Sequence, residues 1–159
     1  MSERPVVNAS PLVTLARVGR LDLLRLLGPR VVVPAQVAGE VRVHSDEAAR
    51  ALDEESWIEQ VPAVAVGEAI AAWDLGPGES AVLAWAVAHP GTLAVIDDYA
   101  ARKCAEVIGV AVKGTLGLVL LAKTGGRIPA ARQVIDDLRR AGLYLSDDIV
   151  ARALALVGE

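Results

Sequence analysis

Short apolar runs alternate with amphipathic segments along the chain, and this alternation predicts strands and helices in turn. Continuous runs rich in valine and isoleucine are typical of strands that are buried on both faces. Apolar residues that recur every three or four positions indicate helices with one face toward a core. The predicted strands are residues 6–7, 31–33, 57–61 (a short edge strand), 93–96 and 110–112.

The segments between and after these strands have the period and the boundary residues of helices. Ser10 followed by Pro11 fits an N-cap and the first helical position. Gly76-Pro77-Gly78 is predicted as a turn before a helix, and glycines break or end several of the helices. The predicted helices are residues 11–18, 21–27, 34–43, 45–55, 67–75, 79–88, 99–108, 116–123, 129–141 and 147–157.

Strands that alternate with helices predict an α/β fold in which helices wrap a short parallel sheet. A chain of 159 residues fits one domain, 1–159, and is long enough to bury a core. The hydrophobic fraction is 53% but the aromatic fraction only 3%, with no phenylalanine. The core is therefore expected to consist of alanine, valine, leucine and isoleucine.

Charge and cysteine content narrow the possible functions. The net charge of −4 argues against a protein that coats nucleic acid, but it allows an enzyme that uses a local basic edge and a metal ion. Cys104 is the only cysteine, which excludes an intrachain disulfide and favours a reduced, cytoplasmic setting. The apolar region 107–122 contains Lys113 and three glycines, so no membrane span is expected.

The strand predicted at 93–96 ends on two adjacent carboxylates, Asp97 and Asp98. In open α/β sheets, ligands bind outside the carboxyl ends of the strands, so this doublet is the first candidate for a site. The alternative is that Asp98 is simply the N-cap of the following helix.

Other oxygen-bearing side chains occupy similar positions. Asn8 ends the first strand, Glu79 lies in the first turn of a helix, and Glu40 borders the buried face of its helix. Together with the aspartates they form the kind of dispersed oxygen cluster that Mg²⁺ or Mn²⁺ requires. Each also has a structural explanation: Asn8 as a turn residue, Glu79 as a helix-dipole partner and Glu40 as a solvated side chain.

Other catalytic patterns have little support in the sequence. His44 and His89 are the only histidines, and neither has the spacing of a metal ligand or a catalytic triad. Ser10 is not flanked by the glycines of a hydrolase elbow. The glycines at 109–117 form neither a dinucleotide-binding nor a phosphate-binding loop.

Several ordered segments resemble a branch of the PIN-domain family, small prokaryotic proteins similar to VapC-type toxins. The resemblance covers nearly the whole chain and ends with Ala-Gly-Leu-Tyr-Leu-Ser-Asp at 141–147. The other segments that carry it are Val-Val-Asn-Ala-Ser-Pro-Leu at 6–12, Gly-Arg-Leu-Asp-Leu-Leu at 19–24, Val-Val-Pro at 32–34, Leu-Gly-Pro-Gly-Glu-Ser-Ala at 75–81, Val-Ile-Asp-Asp at 95–98 with Ala-Arg at 101–102, and Gly-Thr-Leu-Gly at 114–117.

The resemblance implies a three-layer α/β/α fold and a metal-dependent ribonuclease. The acidic positions of the family fall on Asn8, Glu40, Glu79 and either Asp97 or Asp98, and Ser10 matches a small hydroxyl residue near the first of them. An RNA substrate, a homodimer and an antitoxin partner are implied as well.

The leading hypothesis assigns separate roles to these residues. Glu40, Glu79 and Asp97 would hold Mg²⁺ or Mn²⁺ as the catalytic set, and Asn8 and Asp98 would assist. Arg102 or Lys103 would contact the substrate phosphate, although a solvated helix face or an Asp98–Arg102 pair also explains these bases. Asn8 departs from the acidic pattern, because an amide offers a neutral oxygen and removes one charge. The alternative hypothesis is therefore a catalytically weak or inactive PIN-like module that binds a protein or nucleic acid.

Overall fold

The computed structural model describes residues 4–159 and contains one five-stranded sheet, in which all pairings are parallel. The strand order is β3-β2-β1-β4-β5, so β1 lies in the centre. The strands are β1 Val6–Val7, β2 Val31–Pro34, β3 Ile58–Val61, β4 Ala94–Val95 and β5 Val112–Lys113.

Helices cover this sheet and complete a three-layer α/β/α fold, as predicted. A 3-10 helix, Leu21–Leu26, follows the first α-helix. The α-helices are α1 Ala9–Arg17, α2 Ala35–His44, α3 Asp46–Glu54, α4 Glu68–Ala71, α5 Pro77–Ala88, α6 Tyr99–Ile108, α7 Thr115–Thr124, α8 Ala131–Arg140 and α9 Asp147–Leu156.

The sheet brings distant parts of the chain to one edge. Val6 pairs with Val32 on one side and with Ala94 on the other. Strands β2 and β3 lie on one side of β1, and β4 and β5 lie on the other. The carboxyl end of β1 is therefore a topological switch point, the place where α/β folds bind ligands. Asn8 follows β1 directly and Asp97 follows β4 after Ile96, so both lie at this edge.

The core is aliphatic, as the composition indicates. The strand residues Val6, Val7, Val32 and Val95 are fully buried, and buried leucines and alanines of the helices pack around them. Cys104 is also buried, and this burial raises the pKa of its thiol. Among residues 4–159, no helix has the length and the apolar character needed to span a bilayer.

Three predicted helix starts differ from the structure by two residues, and one of them is α8, which begins at Ala131 rather than at 129. Helix α1 begins at Ala9 with Asn8 as its N-cap, so Ser10 is its second residue rather than its cap. Pro11 is accommodated because the first-turn N–H groups of a helix have no intrahelical partner. Helix α5 likewise begins at Pro77, with Gly76 as N-cap, so Pro77 and Gly78 belong to the helix and not to a separate turn.

Three other predictions need a correction. The helix predicted at 67–75 is only the single turn of α4, Glu68–Ala71. The segment predicted as a helix at 21–27 is a 3-10 helix, and its leucines Leu21, Leu24 and Leu27 recur every three residues, which matches the 3-10 period. The last strand lies at Val112–Lys113 rather than at 110–112.

Candidate active site

The carboxyl edge of the sheet collects an amide, two carboxylates and a hydroxyl from four separate parts of the chain. The Asn8 backbone N–H donates to the Val95 carbonyl at 3.0 Å, which fixes the end of β1 against β4. Glu79 approaches from the first turn of α5, and Asp97 and Thr115 approach from the far side of β4. The side chains form two hydrogen-bonded pairs, Asn8 with Glu79 and Asp97 with Thr115, and Thr115 was not among the predicted site residues.

Asn8 is buried with half of its amide unpaired. Its side chain donates from Nδ2 to Glu79 Oε1 at 3.2 Å, and the residue is 2% exposed. Since an amide N–H must face the carboxylate, this bond also fixes which end of the amide is oxygen. Among the described residues, Asn8 Oδ1 is buried and has no hydrogen-bond partner. A buried polar atom without a partner costs about 1–3 kcal/mol and needs an explanation.

Glu79 is held close to the backbone of its own helix start. A Cβ atom added at Gly76 would lie 2.6 Å from Glu79 Oε2. The glycine therefore leaves the space that the carboxylate occupies while its other oxygen accepts from Asn8.

Asp97 is anchored by the start of α7. Its Oδ1 accepts from the Thr115 backbone N–H and its Oδ2 from the Thr115 hydroxyl, both at 2.7 Å. The Ser10 hydroxyl is 3.5 Å from the same Oδ2. Thr115 is fully buried. A threonine directly after a glycine at a predicted helix start was a visible signal for it, but it carries no charge and was not singled out.

Glu40 supports the same helix as Glu79. Its Oε1 accepts from the Gly78 backbone N–H at 3.0 Å, and a Cβ atom at Gly78 would lie 2.7 Å from that oxygen. The contact satisfies one of the unpaired N–H groups at the start of α5. Glu40 therefore lies next to the turn that presents Glu79.

Asp98 is the N-cap of α6, which was the structural alternative for this residue. Its Oδ2 accepts from the Ala101 N–H at 2.9 Å, and the residue is exposed. Its neighbour Asp97 is the member of the doublet that lies at the candidate site.

The two predicted phosphate-binding bases differ in their surroundings. Arg102 Nη1 donates to the Ile96 carbonyl at 3.3 Å and lies beside Gly114, as does Asp97 Oδ1. Lys103 pairs with Glu106 at 3.5 Å and lies over the Tyr99 ring, 5.6 Å from its centroid. Arg102 is therefore adjacent to the site, whereas Lys103 lies on the outer face of α6.

The donor chemistry at this edge fits a hard divalent cation, although the number of acidic donors is small. Within residues 4–159, no three histidine, cysteine, aspartate or glutamate side chains form a group that could hold a metal ion, so Glu40, Glu79 and Asp97 are not gathered as one triad. The Asn8 Oδ1 atom adds a neutral oxygen that lacks a partner. Carboxylate and amide oxygens are ligands of the kind that Mg²⁺ and Mn²⁺ accept.

A groove of about 680 Å³ opens beside Asp97 and runs between α6, α7 and α9. Both tyrosines of the chain line it, and both are strongly exposed: Tyr99 at 74% and Tyr144 at 88%. Arg102, Lys113 and Arg152 also line it.

A family model described as a PIN domain matches residues 4–159. No curated protein matches the sequence.

Proposed function

The chain belongs to the PIN-domain family, and from this premise we propose that it is a metal-dependent RNA endonuclease. PIN domains are generally nucleases, and the parallel sheet places the candidate residues at the edge where α/β folds bind ligands. The toxin component of a toxin–antitoxin pair, acting as a homodimer, is the biological role that we propose with it.

The observation that carries the proposal is the unpaired Oδ1 of Asn8. This oxygen is buried beside the bond that ties Asn8 to Glu79, and Asp97 lies across the β1–β4 pair. We propose that Asn8, Glu79 and Asp97 hold Mg²⁺ or Mn²⁺. When bound there, the cation supplies Lewis-acid chemistry, which activates water for attack and offsets charge on the phosphodiester.

The remaining residues hold these groups and the substrate in place. Thr115 orients Asp97 with two hydrogen bonds, and Glu40 fixes the turn that carries Glu79. We assign Asp98 to positioning because it caps α6 from an exposed position. We assign Glu40 to positioning because it accepts from the Gly78 N–H at the start of α5 and forms no group with Glu79 and Asp97 that could hold a metal ion.

The groove beside Asp97 is the proposed path of the RNA strand. Tyr99 and Tyr144 offer ring faces on which unpaired bases stack, and Arg102 and Arg152 offer positive charge to the backbone. Ser10, whose hydroxyl is 3.5 Å from Asp97 Oδ2, and Lys103, which follows Arg102 on α6, are the further candidates for contact with substrate.

The test is cleavage of single-stranded RNA by the wild type and by Asp97→Asn and Glu79→Gln, with Mn²⁺ or Mg²⁺ and with EDTA. We expect cleavage by the wild type only with a divalent cation, and a loss of about 100-fold or more in each variant. Asp136→Asn, which changes a carboxylate on α8, a helix that contributes no residue to the lining of the groove, is the matched control and should cleave as the wild type does. Equal rates in wild type and Asp97→Asn would refute the site.

A binding module without catalysis is the second candidate function. It is favoured by the apolar surface of the same groove, where Ile149 is 48% exposed and Leu156 is 79% exposed. An antitoxin or another protein that offers an apolar segment is its expected partner. Calorimetric titration with Mn²⁺ separates the candidates: no binding by wild type, with binding gained in Asn8→Asp, would favour the module.

A further inference from the structure

A second cavity of about 680 Å³ lies away from the candidate active site and is rich in arginine. Arg20, Arg25 and Arg127 line it together with a single carboxylate, that of Asp22. The rest of its lining is Leu23, Leu26, Pro29, Leu121 and Gly125. In a chain with a net charge of −4, this is a local excess of positive charge.

The cavity lies at the opposite end of α7 from Asp97. Helix α7 begins at Thr115, which binds Asp97, and ends at Thr124, close to the lining residues Gly125 and Arg127. Ten residues of α-helix span about 15 Å. The cavity is therefore separate from the groove in which we place the RNA strand.

Arg20 and Arg127 occupy the same position of the same helix-terminating motif. Helices α1 and α7 both end in a Schellman motif, with Gly19 and Gly126 in the left-handed conformation. The N–H of the next residue then bonds back five positions, from Arg20 to Leu15 and from Arg127 to Ala122. Each arginine therefore projects from a rigid helix end.

The residue at this position of the motif is commonly apolar and packs back onto its helix. Helix α8 follows that rule, because its motif places buried Leu143 there. The arginines that end α1 and α7 depart from it. Among the described residues, Arg20 and Arg127 make neither an ion pair nor a side-chain hydrogen bond, whereas Arg42, Arg139 and Arg140 all pair with aspartates.

Attraction to the helix dipole explains one cation at each helix end, but not a third on the same cavity. That third cation, Arg25, comes from the 3-10 helix, and its guanidinium is 5.7 Å from the centroid of the Trp57 ring. Guanidinium groups bind phosphate through paired N–H donors, and the leucine floor of the cavity offers a surface to a sugar or base.

We propose that this cavity is a binding site for a phosphate-bearing ligand of nucleotide size, separate from the nuclease site. The ligand chemistry is a phosphate group held by Arg20, Arg25 and Arg127, with an apolar part against Leu23, Leu26 and Leu121. Free nucleotides and an RNA strand that extends past the active site both supply such a group.

The experiment is calorimetric titration of the full chain in EDTA with inorganic pyrophosphate, ADP and a short oligouridine RNA. The variants are Arg20→Gln/Arg127→Gln and Arg20→Lys/Arg127→Lys, and the control is Arg30→Gln, an exposed arginine outside the lining. We expect the wild type and the control to bind the probes alike. We expect Arg20→Gln/Arg127→Gln to bind them about 100-fold more weakly, roughly tenfold for each charge-assisted contact removed.

The variant Arg20→Lys/Arg127→Lys separates a role of the two arginines in ligand binding from a role in stabilising the ends of α1 and α7. Lysine keeps the charge at each helix end but lacks the planar fork, so thermal stability should stay at the wild-type level while affinity for pyrophosphate falls. Tighter binding of ADP than of RNA would identify free nucleotide as the source. Tighter binding of RNA would identify the strand as the source. In that case the slope of log affinity against log salt should be smaller in magnitude by about 1.4 in Arg20→Gln/Arg127→Gln.

The proposal would be overturned if the wild type bound none of the three probes, or if Arg20→Gln/Arg127→Gln bound them as tightly as the wild type does. Either result would leave the nuclease proposal untouched, because no residue of this cavity belongs to that site.

Discussion

At the scale of single residues, Asn8 combines one hydrogen-bonded and one unpaired polar group in the same buried amide. Its N–H group satisfies Glu79, while its Oδ1 atom is buried without a partner in the described part of the chain. An aspartate here would place two carboxylates against each other. We therefore expect the amide to stabilise the metal-free protein and to leave less negative charge for the proposed cation.

The substitution Asn8→Asp tests whether the amide stabilises the metal-free protein and weakens cation binding. In EDTA we expect the free energy of unfolding to fall by roughly 2 kcal/mol, because the hydrogen bond to Glu79 is replaced by repulsion. Mn²⁺ should reverse the loss and stabilise the variant more than the wild type. Thermal unfolding with and without Mn²⁺ measures both effects.

The matched control is Gln133→Glu on α8. Gln133 Nε2 donates to Asp137 Oδ1 at 3.2 Å, the same distance as in the Asn8–Glu79 bond, but on an exposed surface. Solvent screening should make its effect small and independent of Mn²⁺. An equal loss in both variants would mean that burial of the Asn8–Glu79 pair has no consequence.

Thr115 provides a second test at this scale. Thr115→Val removes the hydroxyl that binds Asp97 Oδ2 but keeps the backbone N–H and the side-chain volume. We expect a loss of about 1–2 kcal/mol in unfolding free energy and slower RNA cleavage, and Thr115→Ser should restore both. Thr124→Val, which removes an exposed hydroxyl bond to the Leu120 carbonyl, is the control. A variant Thr115→Val that cleaves at the wild-type rate would exclude a positioning role.

The sequence allowed Asn8, Glu79 and Asp97 to be proposed together because each directly follows a strand or opens a helix. The signal for Thr115 was too weak to single it out, because a neutral hydroxyl at a helix start is common and its partner, Asp97, lies in a distant segment. The Glu40–Gly78 contact was hidden for the same reason: it depends on how α2 packs on α5, which no local pattern specifies.

At the scale of elements, the helix ends show how local chemistry sets boundaries. Ser45, Asp98 and Ser146 each cap their helix with a side-chain oxygen. The start of α8 is satisfied differently, because the Glu159 carboxylate accepts from the N–H groups of Ala131 and Arg132. These backbone hydrogen bonds hold the pKa of Glu159 below its ordinary value.

The lowered pKa of Glu159 predicts a contribution to stability that depends on pH. A carboxyl whose folded pKa is depressed stabilises the fold above its unfolded pKa, and this contribution is lost as pH falls through 4.5 toward the lower folded value. Glu159→Gln should remove that dependence, which urea unfolding across the acidic range would measure. Identical pH profiles for variant and wild type would contradict the cap, and Glu106→Gln, on the surface of α6, is the control.

Boundaries that depend on such caps were predictable from the sequence where the cap is local. Helix α6 was predicted with the observed bounds because Asp98 precedes it directly. The starts of α1 and α5 were misplaced because Pro11 and Pro77 fit more than one position in a first turn.

At the scale of the whole molecule, the net charge of −4 restricts where RNA can bind. The groove beside Asp97 is the surface where Arg102, Lys113 and Arg152 meet the proposed strand. Three phosphate contacts to a single strand predict that log affinity falls with log salt at a slope of about −2. Binding of Asp97→Asn to a labelled RNA at several salt concentrations measures this slope, and affinity that does not change with salt would exclude the groove as the path.

The overall fold was predicted better than the site because it depends on repeated signals. Five short apolar runs and the helices between them determine the fold class, and an error at one boundary leaves the rest intact. The order of the strands could not be predicted from the apolar runs, because the runs differ little in composition and do not indicate which of them pair with β1.

The pairing of Val6 with Ala94 has a consequence for the order of folding. The central strand precedes the other four in the chain, yet its edge toward β4 stays unpaired until Ala94 and Val95 have been synthesised. Non-local pairing of this kind folds slowly and exposes unpaired backbone while it waits. Asn8 and Asp97 come to the same edge of the sheet only after β4 has paired with β1, and Asp97 gains its hydrogen bonds only when Thr115 has been synthesised. A nascent or truncated chain that ends before α7 therefore lacks the assembled site, so any nuclease activity begins only once the sheet is nearly complete.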